Sequence, residues 1–173
     1  MSVNMEPSSS NTGALIRSAF ASTPYPGDDR LVTDDGGRDP ETRDVAKMLS
    51  GQRWDQVSLD TLRARAESLP LLTPEAFRYY LPAYMLGVFE HWNDVDVVRD
   101  SVLYNLTPPN ERSGRKWEFF RTRADQFTPS EGAAIASFLR FMSDRYQADW
   151  AASGMTPPTD RVAPALRYWD TPR

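Results

Sequence analysis

The chain contains no cysteine and one histidine, His91. The first absence excludes disulfides, iron–sulfur clusters, thiol catalysis and zinc sites built on thiolates. The second excludes a two-histidine metal centre and the HExxH helix of zinc proteases. No GxGxxG loop, P-loop or GxSxG elbow is present, so the sequence offers no ready cradle for phosphates and no nucleophile on a strained turn. Apolar runs stay well short of the ~18 residues a membrane-spanning helix needs. The N-terminal MSVNMEPSSSNTG lacks the hydrophobic segment of a secretory signal. A cytoplasmic protein without cofactor or bound metal is the expectation. Positive charge is also in short supply. The net charge is −4 and the isoelectric point about 5.0, which makes a phosphate backbone an unfavourable partner.

What the chain does have is helix punctuation. Its 173 residues are 40% hydrophobic with five tryptophans, enough for one domain with a substantial core. An apolar-Thr-Pro triplet occurs at Leu72-Thr73-Pro74, Leu106-Thr107-Pro108, Phe127-Thr128-Pro129 and Met155-Thr156-Pro157. Threonine before proline leaves the α region and can cap a helix whose first residue is that proline. All four therefore predict helix starts, and Glu131 completes a capping box after Thr128. Asp39-Pro40-Glu41 follows the same grammar. Apolar periodicity then predicts helices over 13–21, 40–49, 58–68, 74–91, 94–106 (behind Asn93), 114–126 and 129–150. Trp54 is expected to plug the core from a connection. The fold expected is all-α, a single domain of six to seven helices with a kinked central core helix. A leader over 1–12, a helical domain over 13–153 and a proline-rich C-terminal strap over 154–173 are the expected divisions, with Leu166, Tyr168 and Trp169 available for docking.

The central helix is LTPEAFRYYLPAYML, residues 72–86. Between 76 and 89 its one charged residue is Arg78. A helix apolar around its whole circumference is surrounded by neighbours. Pro82 removes a backbone donor and crowds the carbonyl of Arg78, which predicts a kink or break over 78–82. Arg78 is either a buried arginine bonded to a carboxylate or a cation held out to a partner's anion.

Two charged segments complete the inventory. Asp28, Asp29, Asp34, Asp35, Asp39, Glu41 and Asp44 crowd 28–44. Placing Gly36 or Gly37 sixth in a calcium loop puts Leu31 or Val32 first and Thr42 or Arg43 twelfth, so neither frame supplies the end ligands. Turn chemistry and a solvated acidic face are the expectation. The other segment, 112–123, interleaves Arg and Lys with Trp117, Phe119 and Phe120. Such a pattern can grip nucleic acid, but Trp117, Phe120 and Ala124 share one helical face. That face predicts core packing, with the charges in solvent. His91, at the end of the central helix, is read as a capping residue favoured by the helix dipole.

LTPEAFRYYLPAYM is similar to the central motif of a family of small bacterial proteins of unknown function. Ala19-Phe20 with Tyr25-Pro26-Gly27-Asp28-Asp29, Gly51-Gln52-Arg53-Trp54 and the TPSEGAAIASFLRFM of 128–142 also resemble it, so the similarity covers roughly 14–145. Small bacterial families of this style often act as partners, inhibitors or immunity proteins of other proteins, and by analogy the resemblance implies that role. The function expected is thus a non-catalytic protein-binding module that meets another protein, of basic character, through Asp28, Asp29, Asp34, Asp35 and Arg78. Two alternatives stand beside it. One is a carboxylate- or metal-dependent enzyme using Asp28, Asp29 and Glu75. The other is a nucleic-acid-associated protein using 112–123.

Overall fold

A helix begins where something satisfies its first backbone N–H groups. The computed structural model describes residues 9–33, 39–156 and 158–171 and places eight α-helices and no strand among them. They are α1 (Ser9–Phe20), α2 (Pro40–Leu49), α3 (Leu59–Ala64), α4 (Pro74–Glu90), α5 (Asp96–Leu106), α6 (Gly114–Ala124), α7 (Pro129–Ala152) and α8 (Ala163–Trp169). One-turn 3₁₀ helices at Asp28–Arg30, Trp54–Gln56, Leu69–Leu71 and Trp92–Asp94 fill connections. Among the described residues no helix is long and apolar enough to cross a membrane.

The caps explain most of the boundaries. Asp39 accepts from the Glu41 N–H at 3.0 Å, and Thr73 from the Ala76 N–H at 3.1 Å. Thr128 accepts from the Glu131 N–H at 3.3 Å while the Glu131 carboxylate accepts from the Thr128 N–H at 2.8 Å. That is the capping box expected at α7. Thr107 behaves differently from the expectation. It ends α5 instead of starting a helix, and its hydroxyl donates to the Leu103 carbonyl at 2.6 Å. The reason is the second proline: Pro109 pushes Pro108 out of the α region, so no helix can open there. The Met155-Thr156 triplet also runs into a proline pair, and its Pro157 lies outside the described residues. Helix α5 starts at Asp96 without a side-chain cap, behind a Trp92–Asp94 turn. Buried Trp92 pins that turn by donating from its indole to Asp149 at 2.8 Å. Helix α1 starts at Ser9, four residues before the expected start; of the expected leader, residues 1–8 lie outside the described residues.

Helix α4 is the axis of the core. Every residue from Tyr79 to Val88 is buried, and α1, α3, α5, α6 and α7 all pack against it. Pro82 lies inside α4, which continues through it as one helix, so of the kink or break expected there the break is absent. Phe77 and Phe20 both meet Phe127 edge-on, with ring centroids 6.0 and 6.2 Å apart. The buried tyrosines also brace loops. Tyr80 donates to the carbonyl of Leu49 at 2.7 Å, at the end of α2, and Tyr84 to that of Arg65 at 3.0 Å, at the end of α3. Burial pushes both hydroxyls well above the usual tyrosine range, with the nearby Tyr25 and Tyr79 adding to the effect at Tyr80. Trp54 is buried against the same core. The eighth helix, α8, lies within the segment expected to be a strap. It packs on α7, and its buried Trp169 donates to the Leu106 carbonyl at 2.8 Å.

Candidate binding groove

The acidic turn is partly committed to holding the fold. Gly27 takes φ +96°, a left-handed value that suits glycine, and this delivers Asp28 into a 3₁₀ turn. The Tyr25 hydroxyl donates to Asp28, and the Gly51 N–H donates to both the Tyr25 oxygen and the Asp28 carboxylate, each at 3.0 Å. Hydrogen bonds from Tyr25, Gly51 and Ser50 hold the Asp28 carboxyl below the usual carboxylate range. Asp29 beside it is exposed. Asp34, Asp35 and the Asp35-Gly36-Gly37 turn lie outside the described residues. Glu75 and His91 are exposed, one in the first turn of α4 and one at its C-cap. Among the described residues no three His, Asp or Glu side chains gather as a metal-binding group.

Arg78 stands apart from that turn. Its guanidinium holds Glu131 of α7, with Nε 2.9 and 3.1 Å from the two carboxylate oxygens and Nη2 3.0 Å from Oε1. No hydrogen bond or ion pair joins Arg78 to Asp28 or Asp29. Glu131 also accepts from the Thr23 hydroxyl at 2.8 Å. Its side chain is 2% exposed and that of Arg78 22%, so the pair is a pin between α4 and α7.

Glu131 and Arg123 are the two buried charged residues among those described. They are handled in opposite ways. Arg123 has no carboxylate partner there; it donates to the carbonyls of Leu72 at 2.6 Å and Pro70 at 3.1 Å, and stacks 3.5 Å from the Phe119 ring centre. Burial lowers its pKa to about 10. The expectation that all the charges of 112–123 are solvated is therefore corrected. Arg123 falls one residue before Ala124 on the inner edge of α6, where backbone carbonyls stand in for water.

The other cations of α6 and its approach do face solvent, and they build a groove. A cavity of about 700 Å³ opens between the 108–112 connection, α6 and α8. Arg112, Arg121 and Arg167 reach its lining, together with Trp117 and Tyr168. Three prolines, Pro108, Pro109 and Pro164, add rigid apolar wall. Among the described residues the one carboxylate in the lining, Asp125, pairs with Arg121 at 3.2 Å. Arg112 lies over two rings, 4.8 Å from the centre of Trp117 and 5.6 Å from that of Tyr168. Trp117 meets Tyr168 edge-on at 6.3 Å, and Phe120 beneath them is buried. Neither Arg112 nor Arg167 has an ion-pair partner among the described residues. Stacking on aromatic faces leaves the guanidinium edge of Arg112 free to donate to a planar oxyanion.

Half of this site is visible in the sequence as the basic and aromatic pattern of 112–123. The other half, Pro164, Arg167 and Tyr168, comes from a segment nearly fifty residues further on, roughly, in the manner of long-range docking that no local periodicity reports. Trp169 is the signal that was available: a tryptophan in a proline-rich tail needs a partner for its indole N–H. No curated protein and no solved structure matches this chain. A family description, Family of unknown function (DUF6714), matches residues 9–172 and so takes in all eight helices. The chain belongs to that family of unknown function.

Proposed function

We propose that this chain is a non-catalytic protein-binding module and that the groove between α6 and α8 is where a partner docks. The observation that carries this reading is the composition of the groove among the described residues: three guanidiniums, two aromatic faces and three prolines, with the single carboxylate already paired to Arg121. Such a lining can hold and orient an anionic group, and it provides no general base beside a nucleophile. Aromatic residues and arginine are also the side chains that dominate protein interfaces. An inhibitor or immunity-type role, as expected from the resemblance, is one form of this reading.

The test is a photo-cross-linking side chain placed at exposed Lys116, on α6 beside the groove, in the full chain expressed in its host. One protein is expected to be trapped. The purified pair should then bind reversibly, and Arg112→Ala with Arg167→Ala should weaken that binding. A cross-linker at Arg43, beside the acidic segment, is the comparison. Capture there and not at Lys116 would move the interface to Asp28 and Asp29. No protein trapped at either position would overturn the reading.

A further inference from the structure

We infer that the groove recognises an extended acidic peptide segment, in which carboxylates pair with Arg112 and Arg167 while neighbouring apolar side chains lie on Trp117, Tyr168 and the proline wall. This rests on the protein-binding reading above and adds the chemistry of the partner. It asks for the opposite charge from the one the 28–44 segment asks for.

Four features favour this occupant. The first is charge. Among the described residues of the lining, Asp125 is the one carboxylate that Arg112, Arg121 and Arg167 meet, and the chain as a whole carries −4. The groove is thus a local cationic site on an acidic protein, and an acidic segment is steered to it rather than to the rest of the surface. The second is geometry. A guanidinium stacked on Trp117 and Tyr168 offers a fork along its edge, and a carboxylate meets that fork with two parallel hydrogen bonds. The third is the apolar share of the wall. Pro108, Pro109 and Pro164 lack N–H groups, so this wall presents hydrocarbon rather than backbone donors to the occupant. A peptide alternating acidic and apolar residues matches both kinds of surface. The fourth is the limit of the charge. Two arginines without an ion-pair partner among the described residues suit a few carboxylates and are too few to track a phosphate backbone, where each neutralised phosphate adds to affinity. Asp125 would also stand against a continuous polyanion.

The experiment uses the intact chain on a peptide array. The array varies the number and spacing of Glu and Asp within a neutral frame containing proline and leucine. A single-stranded oligonucleotide of matched charge and inorganic phosphate serve as solution competitors. Retention is expected to rise with the number of acidic residues and to fall as salt is added. Arg112→Gln and Arg167→Gln should each weaken the best peptide by about three- to tenfold. Arg112→Lys, which keeps charge but loses the planar fork, should fall between wild type and Arg112→Gln. These side chains are exposed or half-exposed at the groove, so an unchanged thermal melt confirms that each variant folds. Retention that ignores acidic residues, or that survives both glutamine variants, would overturn the inference. So would an oligonucleotide or phosphate that binds the groove more tightly than any peptide. If the Lys116 cross-linker traps a protein and the array stays blank, this inference fails alone. A blank array with nothing trapped at either position would remove the protein-binding reading as well.

Discussion

Replacing Glu131 with alanine is the most demanding test of the architecture. The carboxylate accepts from Arg78, from the Thr23 hydroxyl at 2.8 Å and from the Thr128 N–H at 2.8 Å. Its removal therefore strands three donors at once. Breaking a buried ion pair costs about 3–5 kcal/mol. Because Arg78 keeps 22% of its side chain in solvent, the lower end of that range applies, about 3 kcal/mol. Losing half of the capping box adds about 1 kcal/mol. The expected loss is about 4 kcal/mol, which in a chain of this size lowers the melting temperature by about 8–16 °C. Urea unfolding should show the midpoint fall with an unchanged slope. Arg78→Met combined with Glu131→Leu is the control, since an apolar pair of similar volume can replace a buried ion pair with little loss. The double variant should recover about 2 kcal/mol or more relative to the sum of the single losses. A loss below about 1 kcal/mol for Glu131→Ala, or no recovery in the double variant, would refute the idea that this pair pins α4 to α7.

Three further outcomes follow from other buried groups. Burial raises the pKa of Tyr80, Tyr84 and Tyr146 above the unfolded value of 10.0; their stabilising contribution is thus complete below pH 10 and is lost as pH rises beyond it. Arg123, lowered to about 10, works in the opposite sense, but three tyrosines outweigh one arginine, so the melting temperature should fall above about pH 10 with tyrosinate absorbance appearing together with unfolding. Gly27→Ala should cost about 1–2 kcal/mol by urea unfolding, because φ is +96° and a Cβ would stand 2.9 Å from the Asp29 carboxylate. Arg123→Met should cost about 2 kcal/mol by the same measurement, less than Glu131→Ala, since it strands two carbonyls but also removes an uncompensated buried charge.

How much of this was readable in advance depended on range along the chain. Helices α2, α4 and α7 were legible because Asp39-Pro40, Thr73-Pro74 and Thr128-Pro129 are caps whose chemistry is complete within four residues. Thr107-Pro108 carries the same triplet, but its neighbour Pro109 denies it a helix, and Thr107 ends α5 instead. Arg78 stands out as the lone charge between 76 and 89, which points to a carboxylate either within the fold or on a partner. That carboxylate, Glu131, lies fifty-three residues away and had already been assigned the local role of a capping box. Arg123 was misplaced for the converse reason. Periodicity puts Trp117, Phe120 and Ala124 on the inner face and the charges in solvent, and only the arrival of Pro70 and Leu72 with open carbonyls decides that a guanidinium can sit inside.

The stretches that carried the resemblance meet one another in the fold. Asp28 of the YPGDD turn holds the N–H of Gly51 in the Gly51-Gln52-Arg53-Trp54 segment. Tyr25 of that turn packs edge-on against Tyr79 of the central helix at 5.3 Å, and Arg78 of the same helix grips Glu131 of the 128–142 stretch. Each of these residues already has a structural task, which accounts for its chemistry without a ligand. Arg112 and Arg167 are different. They face a cavity and pair with no carboxylate among the described residues. A cation with no ion-pair partner among the described residues, placed where another molecule can reach it, is the place to seek binding. Those motifs therefore hold the architecture of the chain together, and the groove proposed for binding lies outside them, on the rim that α6 and α8 build together.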